Sequence, residues 1–374
     1  MTERIIVGYD AKRIVRNATG LGSYGRTLVN DLSQSQPSLQ LRLYAPDQGR
    51  DDLRRQICEH ENIRFCYPAK SSLPFSKALW RTKGIISDLQ CDGVQIYHGL
   101  TGELPIGIRK SGIKSVVTIH DLIFLRHPEY YHWLDTKIYA WKFRQTVLEA
   151  DHIIAISECT KRDILAYSDI DESRISVIYQ SCSITDLAGE QTRSDTPRYI
   201  LSVGSIEQRK NILLAVKALH HLPEELSLVI VGRHTAYTDE VSAYATSHGL
   251  SHRVKIMHGV SNQELPALYA GAEAFVYPSR YEGFGIPIIE AASMGLPVVA
   301  ATGSCLEEAG GPHSLYVSPD DPAALAAAVK RVRRGSAERE ERIRATRQYI
   351  SRFCGTDVAR QVINVYQRVL GTEG

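Results

Sequence analysis

Short apolar runs alternate with helical patterns along almost the whole chain, and this alternation restricts the fold more than any other feature. In the first half, runs of strand length occupy residues 5–9, 39–44, 63–66, 94–97, 115–119, 152–155 and 175–178. Helical patterns separate them near residues 22–33, 76–90, 135–149 and 158–167. Strands that are apolar along their whole length are typical of parallel sheets covered by helices on both faces. This half is therefore predicted to be a doubly wound α/β domain.

The same alternation begins again after a polar stretch at residues 183–198. Strand-like runs follow at residues 199–203, 226–231, 254–257, 274–277 and 297–300, with helical patterns near 211–221, 238–248, 263–271 and 287–294. We therefore predict an α/β protein of two doubly wound, Rossmann-like domains that face each other across a cleft, where such sheets bind ligands. The predicted organisation is an N-terminal domain at 1–184, a linker at 185–198, a C-terminal domain at 199–353 and a final helix at 354–374.

The charge balance and the cysteine spacing exclude several classes of function. Among 374 residues, 44 are lysine or arginine and 42 are aspartate or glutamate, and a net charge of +2 offers no basis for nucleic-acid binding. The seven cysteines are widely spaced without a CxxC pair, which argues against a disulfide framework and fits a reducing cytosol. No apolar stretch reaches the roughly 18 residues of a membrane helix. We expect a cytoplasmic protein that binds no nucleic acid.

One basic cluster near the C-terminus leaves peripheral contact with the inner face of the membrane open. Arg331, Arg333 and Arg334 precede alternating acids and bases that continue through Arg347. Binding of these arginines to anionic phospholipid is one interpretation. The other is a solvated helix of mixed charge, which the interspersed acids favour.

Two glutamates, Glu282 and Glu290, flank a glycine-rich loop. The segment 281–290 has the sequence YEGFGIPIIE. Pro287 suits the first position of a helix, and this would place Glu290 in the first turn beside free N–H groups. Carboxylates accept hydrogen bonds from hydroxyl pairs, and a helix start attracts phosphate. The segment predicts a site for a sugar joined to a nucleotide diphosphate; the alternative is a loop that leads into an exposed helix.

Polar side chains also follow two of the predicted strands. Arg209 and Lys210 come after the first strand of the second half, where cations can bind a phosphate. Asn211 is suited to cap the next helix. In the first half, His120 follows the strand at 115–119 and is predicted to enter the cleft as a hydrogen-bond donor. The alternatives are a surface basic pair and a structural histidine.

Residues 20–25 spell GLGSYG, a GxGxxG pattern that opens a helix. In dinucleotide-binding folds the first glycine follows the strand almost at once, whereas here residues 10–19 intervene. Asp47 lies at a distance suited to ribose binding but follows Pro46 in a predicted loop. A hydride-transferring dehydrogenase is therefore disfavoured. A phosphate or substrate contact at the glycines and a simple turn before a helix both remain open.

Taken together, these segments resemble the family 4 glycosyltransferases, which are retaining enzymes of the GT-B fold. Glu282 and Glu290 match the E-x7-E motif of the family, and residues 277–279 with 282–285 match its PS…EGFG signature. Further segments that fit are 10–11, 20–22, 118–122, 151–157 and the GxPV-like strand at 295–299. One departure is Gly204-Ser205, where many relatives have Gly-Arg, so the basic charge falls on Arg209 and Lys210 alone.

The resemblance implies roles around the donor sugar. Glu282, with the backbone of Phe284, Gly285 and Ile286, would hold the transferred sugar. Glu290 would accept the ribose hydroxyls.

Further implied roles concern the phosphates, the base and the acceptor. Arg209 and Lys210 would neutralise the diphosphate, Gly22 would come close to it, and His120 would touch the sugar near its reacting carbon. The nucleotide base would lie near Val260. The N-terminal domain would take the acceptor, and the terminal helix would cross back to pack on that domain.

The expected reaction moves a hexose from a nucleoside-diphosphate sugar to a hydroxyl of a glycan or lipid-linked glycan in cell-surface polysaccharide assembly. Same-face attack, with the departing phosphate taking the acceptor proton, would retain configuration without a protein base. Neither a cofactor nor a metal is expected, because no Walker, HExxH or DxD-type sequence is suitably placed. Residues 102–105, 118–122 and 208–211 are similar to bacterial mannosyltransferases, which favours GDP-mannose over a UDP-sugar. A nucleotide-sugar epimerase and a non-catalytic nucleotide-sugar-binding protein remain alternatives.

Overall fold

The computed structural model describes residues 5–69, 76–182, 198–261, 263–353 and 355–372. The chain divides into two compact units, the first formed by Met1–Ser181 with Phe353–Gly374 and the second by Cys182–Arg352. The predicted linker at 185–198 lies outside the described residues, except for residue 198.

In the described part of the first unit, seven parallel strands form one sheet. Their order is β3-β2-β1-β4-β5-β6-β7. Because β1 pairs with both β2 and β4, the strand order reverses there, and this reversal creates a crevice at the carboxyl ends of β1 and β4. The strands are β1 (Ile6–Asp10), β2 (Gln40–Tyr44), β3 (Ile63–Cys66), β4 (Ile96–Gly99), β5 (Lys114–Ile119), β6 (His152–Ala155) and β7 (Ile175–Val177).

The second unit repeats this topology, with six parallel strands among its described residues. The order is β10-β9-β8-β11-β12-β13, so the reversal lies between β8 and β11. All four residues of β11 and of β12 are buried, as expected for strands covered on both faces. The strands are β8 (Tyr199–Val203), β9 (Ser227–Val231), β10 (Val254–Met257), β11 (Ala274–Tyr277), β12 (Val298–Ala301) and β13 (Leu315–Val317).

Helices connect the strands and bury apolar faces against them. Their bounds are α1 (Lys12–Arg16), α2 (Gly20–Ser35), α3 (Asp51–Arg54), α4 (Ser76–Leu79), α5 (Ile85–Cys91), α6 (Ile123–Arg126), α7 (Trp133–Glu149), α8 (Glu158–Tyr167), α9 (Ile212–Ala218), α10 (Ala236–Ser247), α11 (Leu265–Gly271), α12 (Ile286–Ser293), α13 (Leu306–Gly310), α14 (Pro322–Arg331), α15 (Arg339–Ile350) and α16 (Gly355–Leu370).

The two sheets confirm the predicted α/β fold class, and the differences from prediction are local. The helix predicted at 76–90 is interrupted by a π-helical turn at Trp80–Gly84, and Gly84 is a residue type that weakens a regular helix. Neither α1 nor β13 was predicted, because segments of five and three residues are too short to show a hydrophobic period.

The terminal helix α16 belongs to the first unit and contributes Tyr366 to a buried hydrogen-bond network there. The Tyr366 hydroxyl lies 2.7 Å from His98 Nδ1 and 3.1 Å from the Tyr9 hydroxyl. His98 Nε2 lies 2.8 Å from Thr118 Oγ1, whose other neighbour is the Tyr24 hydroxyl at 3.0 Å. Burial lowers the pKa of His98 to about 3, so this histidine is neutral and structural.

We expect Tyr366→Phe to lower the free energy of unfolding by about 1–3 kcal/mol. The variant leaves two buried groups, His98 Nδ1 and the Tyr9 hydroxyl, without their hydrogen bonds to Tyr366. Urea unfolding followed by far-ultraviolet circular dichroism measures the change. Tyr139→Phe is the matched control, since Tyr139 is 41% exposed and its variant should stay within about 0.5 kcal/mol of wild type. Equal stability of the two variants would show that the network contributes nothing.

Candidate active site

Two loops meet where the strand order of the second sheet reverses. The first follows β8 and carries Arg209 and Lys210 in the 3-10 turn Gln208–Lys210, while the second follows β11 and carries Glu282. Because β8 and β11 are neighbours, both loops leave the same edge of the sheet. The Arg280 amide donates to the Arg209 carbonyl at 2.9 Å and joins the loops. Both charged segments singled out from the sequence therefore share one site.

Glu282 contacts both cations directly. Its Oε1 lies 2.5 Å from Lys210 Nζ, and its Oε2 lies 2.8 Å from Arg209 Nη1. The exposed fraction of the side chain is 10% for Glu282, 15% for Lys210 and 16% for Arg209. Beside this group of three residues, the more exposed Glu207 lies 3.8 Å from both Arg209 and Arg233. The Glu282–Lys210–Arg209 cluster holds two positive charges against one negative, so its net charge favours an anionic ligand.

Burial and neighbouring charges act in opposite directions on the pKa values of this cluster. Burial alone would raise the pKa of Glu282, but Lys210 and Arg209 outweigh it and lower this pKa to about 2. Burial would likewise lower the pKa of Lys210, yet Glu282 and Tyr277 hold it above its ordinary value. Both groups are therefore charged at neutral pH. Preorganised charges in a site that is largely shielded from water are suited to stabilise a developing anion.

Tyr277 and Ser279 complete the cluster; both lie in the signature at 277–279, but neither was assigned a role in the site from the sequence. Lys210 Nζ donates to the Tyr277 hydroxyl at 2.8 Å and lies 5.1 Å from the centre of its ring. Ser279 is fully buried, and its Oγ donates to Glu282 Oε1 at 2.5 Å. Both residues stand at the carboxyl end of β11, a position that could have identified them once the strand order was known.

Asn211 occupies the N-cap position of α9 but does not cap the helix, so the prediction of a capping role was wrong. Its backbone is left-handed, with φ 54° and ψ 31°, and its side chain makes no capping bond. Instead its amide donates to the carbonyls of Pro278, at 3.1 Å, and Pro319, at 2.8 Å. The side chain thus connects the loop after β8 to two segments distant in sequence.

The glycine-rich loop after Glu282 is shaped by the residues around it. Gly285 has φ 149°, and a Cβ at this position would lie 3.1 Å from Ala309 Cβ, which favours glycine. Cys305 Sγ lies 2.6 Å from the Phe284 carbonyl and 3.1 Å from the Glu282 carbonyl. Helix α12 begins at Ile286, so its first backbone N–H groups follow the loop directly. Contacts of Phe284, Gly285 and Ile286 with a sugar stay a prediction.

Glu290 lies in the second turn of α12 and not in the first turn, where it was predicted. The helix begins at Ile286, so Pro287 takes its second position. Glu290 Oε2 accepts a hydrogen bond from the Tyr269 hydroxyl at 2.9 Å. Burial raises the pKa of Glu290, and the bond from Tyr269 opposes this only in part. Its ribose role stays a prediction, and Tyr269 is a partner that the sequence did not indicate.

Val260, the residue predicted to lie near the base, follows β10. It is half-buried, and it comes directly after Gly259, whose φ of 69° makes a turn. Because β10 lies in the same parallel sheet as β8, the turn leaves the same edge as the loop that carries Arg209 and Lys210. The base contact stays a prediction.

Gly22 is buried in the first turn of α2. A Cβ at this position would lie 1.9 Å from the Asn17 carbonyl oxygen and 2.8 Å from the Arg13 carbonyl oxygen. The missing side chain therefore lets α2 begin against the backbone of the preceding segment, which is a structural reason for this glycine. Its predicted approach to a diphosphate stays a prediction.

His120 follows β5 in the first unit, and both of its ring nitrogens are bonded within the protein. Nε2 lies 2.8 Å from the Leu100 carbonyl, and Nδ1 lies 2.7 Å from Gln180 Nε2. Because a carbonyl only accepts, Nε2 carries the proton and Nδ1 accepts from Gln180. Burial lowers the pKa of His120 to about 4, so the ring is neutral. Donation from Nε2 to a sugar, as predicted, requires the bond to Leu100 to break.

Two adjoining cavities lie at the carboxyl edge of the first sheet. One of about 300 Å³ is lined in part by Asp10, Arg81, Glu103, Trp141 and Lys142. The other, of about 220 Å³, is lined in part by His120 and shares Glu103 and Lys142 with the first. Arg81 pairs with Asp10 at 3.0 Å and also with Glu103. Glu103 in turn pairs with Lys142 at 2.8 Å. Alternating charges beside an indole face provide donors and acceptors suited to a polyhydroxyl ligand.

Within the described ranges, His, Cys, Asp and Glu side chains nowhere form a group of three or more that could hold a metal ion. Of the helices in those ranges, none is both long and apolar enough to cross a membrane.

Two family models match adjacent parts of the chain. Residues 19–182 match "Glycosyltransferase Family 4", and residues 183–349 match "Glycosyl transferases group 1". Together the two matches cover residues 19–349 without a gap.

Similar proteins include O-antigen mannosyltransferases. The O-antigen chain mannosyltransferase B of Escherichia coli is 27% identical over 93% of this chain and 96% of its own length. The O-antigen chain mannosyltransferase RfbU of Salmonella typhimurium is 30% identical over 58% of this chain and 60% of its own length.

Solved structures share the fold over nearly the whole chain. The sucrose-phosphate synthase of Thermosynechococcus elongatus has a TM-score of 0.78 at 19% identity, covering 99% of this chain and 100% of that one. Anabaena HepE, solved in complex with UDP and glucose, has a TM-score of 0.72 at 16% identity, covering 98% and 100%. At these identities the likeness concerns the fold alone.

Proposed function

The chain belongs to the family 4 glycosyltransferases, and on that premise we propose that it transfers mannose from a nucleoside-diphosphate sugar to a glycan hydroxyl with retention of configuration. The observation that carries this proposal is the Glu282–Lys210–Arg209 cluster at the strand reversal of the second sheet. A leaving diphosphate gains negative charge as the bond to the anomeric carbon breaks. The two cations are suited to stabilise that charge more in the transition state than in the ground state.

The proposed step needs no protein base. The acceptor oxygen forms a bond to the anomeric carbon on the face from which the diphosphate leaves, and the departing phosphate oxygen takes the acceptor proton. His120 has a lowered pKa, and its only basic nitrogen already accepts from Gln180, so it is poorly placed to remove a proton. His120 is therefore assigned no role as a base in the proposed same-face attack.

The proposal favours GDP-mannose as donor, with a UDP-sugar as the alternative. The names of the similar O-antigen mannosyltransferases from Escherichia coli and Salmonella typhimurium support mannose as the transferred sugar. The choice of GDP rests on the resemblance of residues 102–105, 118–122 and 208–211 to bacterial mannosyltransferases. In this arrangement Glu290 would accept the ribose hydroxyls, and the base would lie near Val260. The base contacts decide between guanine and uracil, and binding of the free nucleotides therefore tests the donor directly.

The acceptor is proposed to be a glycan of a growing surface polysaccharide, bound in the first unit. The cavity of about 300 Å³ is suited to this ligand because Asp10, Arg81, Glu103 and Lys142 supply both donors and acceptors. Trp141 adds an indole face, on which the apolar side of a sugar ring can lie.

Glu290→Ala should raise the KM for the donor about tenfold or more while kcat changes little, because a ribose contact is similar in the ground and transition states. Initial rates at varied donor concentration measure both constants. The donor KM of wild type should also rise on acidification, beginning at a higher pH than for an ordinary glutamate, since burial raises the Glu290 pKa. A collapse of kcat with unchanged donor affinity would contradict the ribose role.

The deciding experiment incubates the full chain with GDP-mannose, and separately with UDP-glucose, in the presence and absence of a soluble mannosyl acceptor. We expect release of GDP only when acceptor is present, an α-linked product by NMR, and a rate that EDTA leaves unchanged because Arg209 and Lys210 supply the charge. Donor conversion without acceptor would indicate an epimerase. Binding without turnover across acceptors would indicate a nucleotide-sugar-binding protein.

A further inference from the structure

The outward side of α7 carries large apolar side chains, although this helix lies at the surface of the first unit. The helix buries one side through Phe143 and Thr146. On the other side, Trp133 is 61% exposed, Leu148 is 60% exposed and Trp141 is 51% exposed. We name this surface the α7 face; its members are Trp133, Leu134, Ile138, Trp141 and Leu148. A contiguous apolar surface of this kind marks an interaction site.

The helical repeat brings these residues to one side. Leu134, Ile138, Trp141 and Leu148 follow one another at spacings of four, three and seven, which align on a single stripe. Lys137 is exposed beside this stripe, with its Nζ 5.0 Å from the centre of the Trp133 ring.

The charged groups near the stripe are mainly positive. Arg144 is exposed on the same side of α7, and Arg109 donates from Nη1 to the Leu148 carbonyl at 3.1 Å. The Glu149 carboxylate accepts from the amides of Gly107 and Arg109, at 2.7 and 3.0 Å, and is therefore directed into its own unit. The remaining acid of α7, Asp135, lies in the first turn on the opposite flank of the stripe from Lys137.

We propose that the α7 face docks onto the surface of an anionic lipid bilayer. Tryptophan and leucine flanked by lysine and arginine form the composition that binds the interface between lipid headgroups and acyl chains. The positive charges of Lys137, Arg144 and Arg109 complement anionic headgroups. A second copy of the chain would bring these like charges together and is disfavoured for that reason.

The arginines singled out from the sequence for phospholipid contact are less suited to it. Arg331 Nη2 lies 2.8 Å from Glu338, and Arg333 lies 3.2 Å from Glu225 and 3.3 Å from Glu273. The charges of Arg331 and Arg333 are balanced by carboxylates of the protein, which supports the interpretation of a mixed-charge surface there. The structure therefore moves the proposed membrane contact from residues 331–334 to α7.

Trp141 belongs to the α7 face and also lines the cavity of about 300 Å³. If the proposed function holds, this continuity places the acceptor cavity at the membrane surface, where the sugar end of a lipid-linked glycan is presented. The membrane contact itself does not depend on the reaction and is tested without donor or acceptor.

The experiment measures co-sedimentation of the full chain with vesicles of phosphatidylglycerol and phosphatidylethanolamine at low salt, and with vesicles of phosphatidylcholine alone. We expect the chain to bind the anionic vesicles and to be released as salt increases. The double variant L134Q/L148Q should lower the partition coefficient about tenfold or more, since two apolar side chains leave the bilayer contact. Its melting temperature and its activity on a soluble acceptor should match those of wild type.

Two variants with the same change in net charge test the electrostatic contribution to vesicle binding. K137E/R144E should lose most of its binding to anionic vesicles. K330E/R344E makes the same change in net charge at exposed positions of the second unit, and it should retain this binding. Wild-type binding by L134Q/L148Q, equal loss in both charge variants, or absence of vesicle binding by wild type would each overturn the proposal. A wild-type dimer by light scattering that L134Q/L148Q abolishes would assign the face to a second copy instead.

Discussion

Lys210→Ala should turn over a saturating donor at about one-hundredth of the wild-type kcat or less, the scale of losing one fixed charge from a site that stabilises an anion. Lys210 Nζ lies 2.5 Å from Glu282 Oε1, and the side chain is only 15% exposed, so water replaces the ammonium group poorly. The loss should appear in kcat and in kcat/KM alike, because the charge on the leaving oxygen develops in the transition state. Single-turnover rates with GDP-mannose measure the chemical step directly.

Lys217→Ala is the matched control for this variant. Lys217 also lies over a tyrosine, with its Nζ 5.5 Å from the centre of the Tyr244 ring, but it belongs to α9 and not to the Glu282 cluster. We expect it to keep kcat within about twofold of wild type, because this half-buried cation–π pair lies outside the Glu282 cluster and would not meet the charge on the leaving group. Near-wild-type turnover of Lys210→Ala at saturating donor would remove Lys210 from the mechanism.

Glu282→Gln should lower the free energy of unfolding and change its pH dependence. The change leaves Lys210 and Arg209 largely buried without their carboxylate, and breaking a buried ion pair in this way costs about 3–5 kcal/mol of unfolding free energy. In wild type, the Glu282 pKa of about 2 lies below its unfolded value, so this stabilisation is present at neutral pH and is lost as pH falls toward 2. The variant should lack that part of the acid dependence. Urea unfolding at neutral pH and at about pH 3 measures both effects.

Two controls make the Glu282 result specific. Glu338→Gln removes a carboxylate that also pairs with two arginines, Arg331 and Arg342, but at a position 44% exposed, and should change stability by about 1 kcal/mol or less. Inorganic pyrophosphate should raise the melting temperature of Glu282→Gln more than that of wild type, because the anion replaces the missing charge. Equal stability losses in the two variants, with no extra pyrophosphate effect, would contradict a buried site for a diphosphate.

Local sequence patterns predicted the fold well because strand and helix periods are set by neighbouring residues. The strands at 63–66, 152–155, 199–203, 254–257 and 274–277 were predicted to the residue. The family comparison confirms the assignment to the family 4 glycosyltransferases, which rested on ordered motifs across both halves. At the site, the predictions for Asn211 and Glu290 were wrong. The Asn211 side chain bonds to carbonyls far along the chain, and Glu290 falls in the second turn because α12 begins one residue earlier than predicted.

The sequence alone determined which loops carry charge and that each of these loops follows a buried strand, since both properties are local. Only the tertiary structure decided that β8 and β11 are neighbours, and therefore that Arg209 and Lys210 meet Glu282. It also decided that both nitrogens of His120 are already bonded and that one side of α7 remains uncovered. The physical reason is that hydrogen-bond partners and burial depend on contacts between distant segments, and no periodic pattern within one segment specifies them.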